Sequence, residues 1–125
     1  MPAAVALAAV LAGCATTQPA RVVEHDHKSV QEGRASFYSD VFTGRLTASG
    51  ERYDPEHMTA AHATLPLGTW IRVTRIDDGR FVDVRVNDRC GCGAGRIVDL
   101  SRKAARRMDM LHAGVVRVRI EVLRR

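Results

Sequence analysis

From residue 33 onward the chain alternates apolar and polar positions with a period of two, and upstream of that point it does not. The alternation predicts strands at 33–38, 70–75, 80–87, 96–100 and 115–122. In the last of these Val116, Val118, Ile120 and Val122 alternate with Arg117, Arg119 and Glu121, which places one face on a core and the other in water, as in a half-buried antiparallel strand. Asp77-Asp78-Gly79 lies between two strand-like runs, where Gly79 supplies the positive φ of a tight hairpin. The period changes to that of a helix once, over about 101–110, with Ser101 as its N-cap and Ala104, Ala105 and Met108 on one face against Arg102, Lys103, Arg106 and Arg107 on the other. Short strands, one short helix and long connections favour a small closed barrel, because closure removes exposed edges. Pattern alone does not choose the barrel type.

The N-terminal segment is of a different kind. Residues 3–13 form a nearly unbroken run of small apolar side chains, too short to span a bilayer and of the length of a signal-peptide core. The run ends in Leu11-Ala12-Gly13-Cys14, which resembles a bacterial lipobox. This resemblance implies a signal peptide over 1–13, acylation of Cys14 as the mature N-terminus, and membrane attachment through that lipid. Ala15, rather than Asp, after the cysteine points to the outer membrane, facing the periplasm. No Lys or Arg precedes the apolar run, so the true translation start is expected upstream of Met1. Residues 14–32 are polar, contain Pro19 and have no clear period, which reads as a tether. His25 and His27 fall in that stretch without further ligands and read as solvated.

A chain of 125 residues suffices for one domain with a modest core. The net charge of +5 comes almost wholly from arginine, Lys28 and Lys103 being the only lysines. An arginine-rich surface suits anionic partners such as cell-wall polymer or lipid headgroups. It does not suggest nucleic acid, because the arginines are scattered through strands with no reading helix or aromatic stacking set. Of the three cysteines, assigning Cys14 to lipid leaves Cys90 and Cys92 as an even pair in an oxidising compartment.

Five blocks stand in order along the barrel region: G-R-A-S-F-Y at 33–38, T-A-S-G-E-R-Y-D at 47–54, T-A-A-H-A-T-L-P-L-G-T at 59–69, V-R-V-N-D-R at 84–89 and R-I-V-D-L-S at 96–101. Through these blocks the stretch 33–121 resembles the catalytic domain of the rare lipoprotein A (RlpA) family. The resemblance implies a six-stranded double-psi β-barrel with one short helix over 33–123. It also implies an endolytic lytic transglycosylase that cleaves the MurNAc–GlcNAc bond of peptidoglycan, prefers glycan lacking stem peptides and leaves 1,6-anhydro-MurNAc ends, in cell-wall remodelling and septation. No metal or organic cofactor is called for. Breaking a glycosidic bond needs a proton donor and a carboxylate near the developing oxocarbenium. Asp88, at the end of a strand, is the candidate acid/base, and extended backbone would turn Asn87 and Arg89 to the other face, so that Arg89 leaves it unpaired. The resemblance places Glu51 across a groove from Asp88 in an electrostatic or orienting role. His62 is expected to hydrogen-bond a carboxylate and fix its rotamer. Tyr53 and Asp54 read as loop-holding residues. Tyr38, Tyr53 and Arg89 are also candidates for contacting substrate, and Phe37, Phe42 and Trp70 are further aromatics for stacking on sugar, Trp70 being equally a core residue.

Where family members carry Gly-Pro after N-D-R, this chain has Cys90-Gly91-Cys92-Gly93-Ala94-Gly95. A disulfide stiffening the loop, a redox-active pair and a zinc site lacking two ligands are the alternatives. The change lies beside Asp88 and bears on activity. The last strand ends close to Arg125, so the C-terminal peptidoglycan-binding repeat domain of longer members is expected to be absent, leaving substrate affinity to the barrel. Two other functions compete: a non-catalytic, expansin-like glycan-binding module on the same fold, and a periplasmic redox or structural lipoprotein centred on Cys90 and Cys92. No septal or cell-wall protein partner is identified by the sequence.

Overall fold

The computed structural model describes residues 3–4 and 30–125. The signal segment other than Ala3 and Ala4, the lipid site Cys14, and His25 and His27 lie outside the described residues. Six strands, β1 (Val30–Phe37), β2 (Thr59–Ala61), β3 (Trp70–Arg75), β4 (Phe81–Asp88), β5 (Arg96–Leu100) and β6 (Val116–Arg124), close into a barrel in the order β1-β5-β2-β4-β3-β6. The β1·β5 and β2·β4 pairs are parallel and the other four antiparallel. This is the double-psi β-barrel expected from the sequence, closed so that no strand edge is left free.

The period of two predicts the core directly. Ile71, Val73, Val82, Val84, Val86, Val98, Leu100, Val118 and Ile120 fill the interior, while Arg117 and Arg119 stand in water. Gly79 turns the β3–β4 hairpin at φ +76°. α1 (Arg102–Arg107) starts at Ser101, whose Oγ accepts the Ala104 N–H, and buries Ala104 and Ala105. It ends sooner than its sequence pattern suggests: Met108 is the C-cap, and Asp109 takes φ +53°, a left-handed conformation that stops a helix.

Two elements were not anticipated. A single turn of 3₁₀ helix covers Asp40–Phe42. Strand β2 is three small residues, all buried, too short to show a period; it is a strand because β4 and β5 pair with it on either side.

Both parallel pairs slip by one residue. Ala60 faces Val86 but Ala61 faces Asp88, leaving Asn87 as the extra residue; Arg34 faces Arg96 but Ala35 faces Val98, leaving Ile97 extra. Bulges of this kind re-aim the side chains that follow. The carboxylates that follow them, Asp88 on β4 and Asp99 on β5, flank Ala61 from its two sides.

Candidate active site

A groove of about 440 Å³ opens at this end of the barrel, with Tyr38, Phe42, Ala61, Asp88, Cys90, Arg96 and Asp99 among its lining residues. Asp88 is held from three directions. The Tyr38 hydroxyl donates to Oδ2 at 2.5 Å, and the backbone N–H groups of Ala48 and Arg89 both donate to Oδ1 at 2.8 Å. The Arg89 side chain turns away, its Nη1 donating to the carbonyls of His62 (3.2 Å) and Leu65 (2.5 Å), so that it makes no ion pair with Asp88. Arg89 borders the groove but is engaged in tying the 62–65 loop to the end of β4.

Glu51 is not among the residues lining the groove. It forms a two-pronged ion pair with Arg85 of β4, at 2.5 and 2.7 Å, and this guanidinium holds its carboxyl below the usual range. The pair fixes the loop over the end of β4: Ser49 N–H donates to the Asn87 carbonyl at 3.1 Å, and the next residue back, Ala48, delivers its N–H to Asp88. Glu51 therefore reaches Asp88 through the loop rather than across the groove.

His62 also differs from the expectation, since it touches no carboxylate. It is buried, its Nδ1 accepts the N–H groups of Thr64 and Leu65 at 3.1 Å, and its Nε2 lies 2.9 Å from Gln31 Oε1. With two donors on Nδ1, the proton sits on Nε2 and is given to Gln31. Its main-chain N–H donates to the Asp88 carbonyl, which anchors the strand end. Burial, with a smaller contribution from the Arg89 charge, pushes the His62 imidazole below its ordinary value of 6.5. The unfolded chain then takes up a proton that the folded chain refuses. Stability from this group is full above about pH 6.5 and falls as the pH drops through that value, levelling once the folded ring is protonated. Thermal melts between about pH 7.5 and 5.5 should show this loss, and His62→Gln should flatten it; an equal slope in the variant would contradict the assignment.

Tyr53 is 3% exposed, which removes it as a surface on which sugar could stack. Its hydroxyl accepts the Arg102 N–H at the start of α1, and its ring lies 4.2 Å from that of Tyr38. Asp54 accepts the Glu56 N–H within its own loop. Trp70 is half-buried, with the Arg124 guanidinium 4.9 Å above its ring, and Phe42 stands at the groove with Arg45 over it at 5.0 Å.

Asp99 is the groove residue that sequence reasoning missed. Its Oδ1 accepts the Ser36 hydroxyl and lies 3.7 Å from Arg96 Nη1. The signal was a lone acid inside the apolar run Ile97-Val98-Asp99-Leu100, where a charge needs a reason to be.

On the rim, Cys90 and Cys92 are joined by a disulfide, with Cα atoms 5.0 Å apart. Among the described residues these sulfurs and Asp99 form the cluster with metal-ligand spacing, but the bonded sulfurs offer no thiolate and Arg96 already neighbours Asp99. So small a ring constrains little of the unfolded chain. Replacing both cysteines with serine should cost about 1.5 kcal/mol or less, read as a fall of at most about 10 °C in Tm. A loss of several kcal/mol would mean that the bridge carries the loop's fold.

Comparison with known proteins agrees with this architecture. The family model described as lytic transglycolase matches residues 30–120. A Nostoc protein named probable endolytic peptidoglycan transglycosylase RlpA is 53% identical over 109 residues, which is 86% of this chain and 29% of that protein. The Vibrio cholerae endolytic peptidoglycan transglycosylase RlpA is 45% identical over 103 residues, covering 82% of this chain and 39% of that one. The chain thus spans well under half the length of these relatives. Among solved structures, apo Clavibacter michiganensis expansin superposes with a TM-score of 0.60 at 28% identity, covering 76% of this chain and 50% of that one. A variant of the same expansin in complex with cellohexaose gives 0.60 at 26%, with the same coverage. A match over nearly three-quarters of the chain, on a closed barrel that carries all five sequence blocks, places the protein in the RlpA-like lytic transglycolase family.

Proposed function

We propose that this protein cleaves the glycan strands of peptidoglycan endolytically, by lytic transglycosylation at the MurNAc–GlcNAc bond. The observation that carries the reading is the Asp88 carboxylate, fixed by three hydrogen bonds in the lining of an open groove with its neighbouring arginine turned away. A carboxyl in that position protonates the departing glycosidic oxygen. The resulting carboxylate then removes the proton from the MurNAc 6-hydroxyl as that oxygen closes on its own anomeric carbon, giving the 1,6-anhydro end. The nucleophile belongs to the same sugar, so no water has to be positioned and the entropic cost of attack is small. Glu51, held ionised by Arg85, and His62, neutral and locked to the 62–65 loop, act as positioning groups that bring the 48 and 89 backbone donors to Asp88.

The relatives named as transglycosylases support the substrate class, and the expansin complex with cellohexaose supports an oligosaccharide-binding groove on this kind of barrel. Attachment to the envelope through a lipid on Cys14 rests on the Leu11–Cys14 sequence alone. A time course of product lengths tests the endolytic step. Oligosaccharides of mixed length with anhydro ends should precede any accumulation of disaccharide, from stem-peptide-free strands faster than from intact peptidoglycan; disaccharide alone from the outset would contradict it. Binding without cleavage would favour the expansin-like function instead.

A further inference from the structure

We infer that Oδ2 of Asp88, the oxygen that the Ala48 and Arg89 backbone donors leave free, is the one that gives and takes the proton, and that Tyr38 is the positioning residue whose hydrogen bond orients that oxygen and sets how readily it is protonated. This rests on the reading of Asp88 as the acid/base.

A carboxylate oxygen has two lone pairs. Those of Oδ1 are both taken, by the Ala48 and Arg89 N–H groups, and backbone N–H donors cannot turn away to make room for a proton. Oδ2 has one partner, the Tyr38 hydroxyl, and one lone pair left. That oxygen is the one at which a proton can be held without losing a backbone hydrogen bond.

Tyr38 is built to be a fixed donor. Its N–H donates to the Leu100 carbonyl, and its ring is packed between Tyr53 at 4.2 Å and Phe42 at 5.9 Å. Burial first, and then the hydrogen bond to Asp88, hold its phenol far above the usual tyrosine range, so it remains a donor at any working pH. The charged and titratable groups about the pair are Asp99 and Arg96 from β5, Tyr53 from the 47–54 loop and Arg89 beyond β4, the last committed to the His62 and Leu65 carbonyls. Asp99 engages Ser36 rather than Tyr38, so the phenol's hydrogen bond goes to Asp88. A donor to a carboxylate favours its ionised form; removing it makes the carboxyl easier to protonate.

Tyr38→Phe keeps the ring and its packing and deletes the donor. The test follows the Asp88 side-chain carbonyl carbon by NMR through a pH titration, assigned against Asp88→Asn, in the wild-type chain and the variant. The midpoint is expected to lie higher in Tyr38→Phe than in the wild-type chain, and the alkaline limb of kcat/KM to move up with it, because the first step needs the protonated acid. An unchanged or lower midpoint overturns the inference, as does a variant whose KM rises while its pH profile stays in place, the mark of a sugar-stacking ring. The NMR reading does not depend on activity: glycan cleavage surviving in Asp88→Asn would defeat the catalytic reading and leave the titration result standing separately.

Discussion

Asp88→Asn is expected to lower the rate of glycan cleavage by about a thousandfold while leaving the barrel folded. General acid–base catalysis by a positioned group contributes on the order of 10²–10⁴ in rate, and in the proposed reaction one carboxyl serves as acid and then as base, so both halves would be lost together. The fold should persist because the amide oxygen still accepts the Ala48 and Arg89 N–H groups, and the amide nitrogen can donate to the Tyr38 hydroxyl, which then acts as acceptor. Far-ultraviolet circular dichroism and Tm separate the two effects. A variant that cleaves at a rate near wild type would move the chemistry elsewhere in the groove, with Asp99 the next carboxyl to test.

Leu100→Ala is expected to have the largest effect on stability. Leu100 is fully buried, pairs with Phe37 of β1 and Ala60 of β2, and stands between the groove acid Asp99 and the helix cap Ser101. Removing its branched end in a closed barrel leaves a cavity that neither neighbouring strand can collapse into without breaking register. The cost should be about 3 kcal/mol, a drop of roughly 10–20 °C in Tm for a domain of this size. A loss below about 1 kcal/mol would mean that the barrel wall relaxes far more freely than its packing suggests.

The parts legible in the sequence are those set by near neighbours. The alternation of Val116 to Val122, the turn at Gly79 and the cap at Ser101 each depend on residues a few positions apart, and each stands in the structure as the pattern implies, the alternation as far as Ile120, beyond which Glu121 and Val122 are both half-buried. Strand β2 was invisible because its identity comes from β4 and β5, which bracket it in space and not in sequence. The same holds within the site. A strand-end acid was readable at Asp88, whereas the partners of Glu51 and His62 lie 34 and 31 residues away, at Arg85 and Gln31. Sequence supplied the residue types for those two and the wrong neighbours. Tyr38 was readable as an aromatic near the chemistry, but its hydroxyl contact to a carboxylate 50 residues downstream required the closed barrel.

In the proposed reaction Asp88 drives an intramolecular displacement without water. Cleavage of stem-peptide-free glycan in ¹⁸O-labelled water, followed by mass spectrometry beside the Asp88→Asn variant, tests it most directly. Unlabelled 1,6-anhydro-MurNAc ends that disappear in the variant are the expected products. Labelled reducing ends would show that water is the nucleophile and the chain a hydrolase, and products unchanged in the variant would show that Asp88 is not the acid.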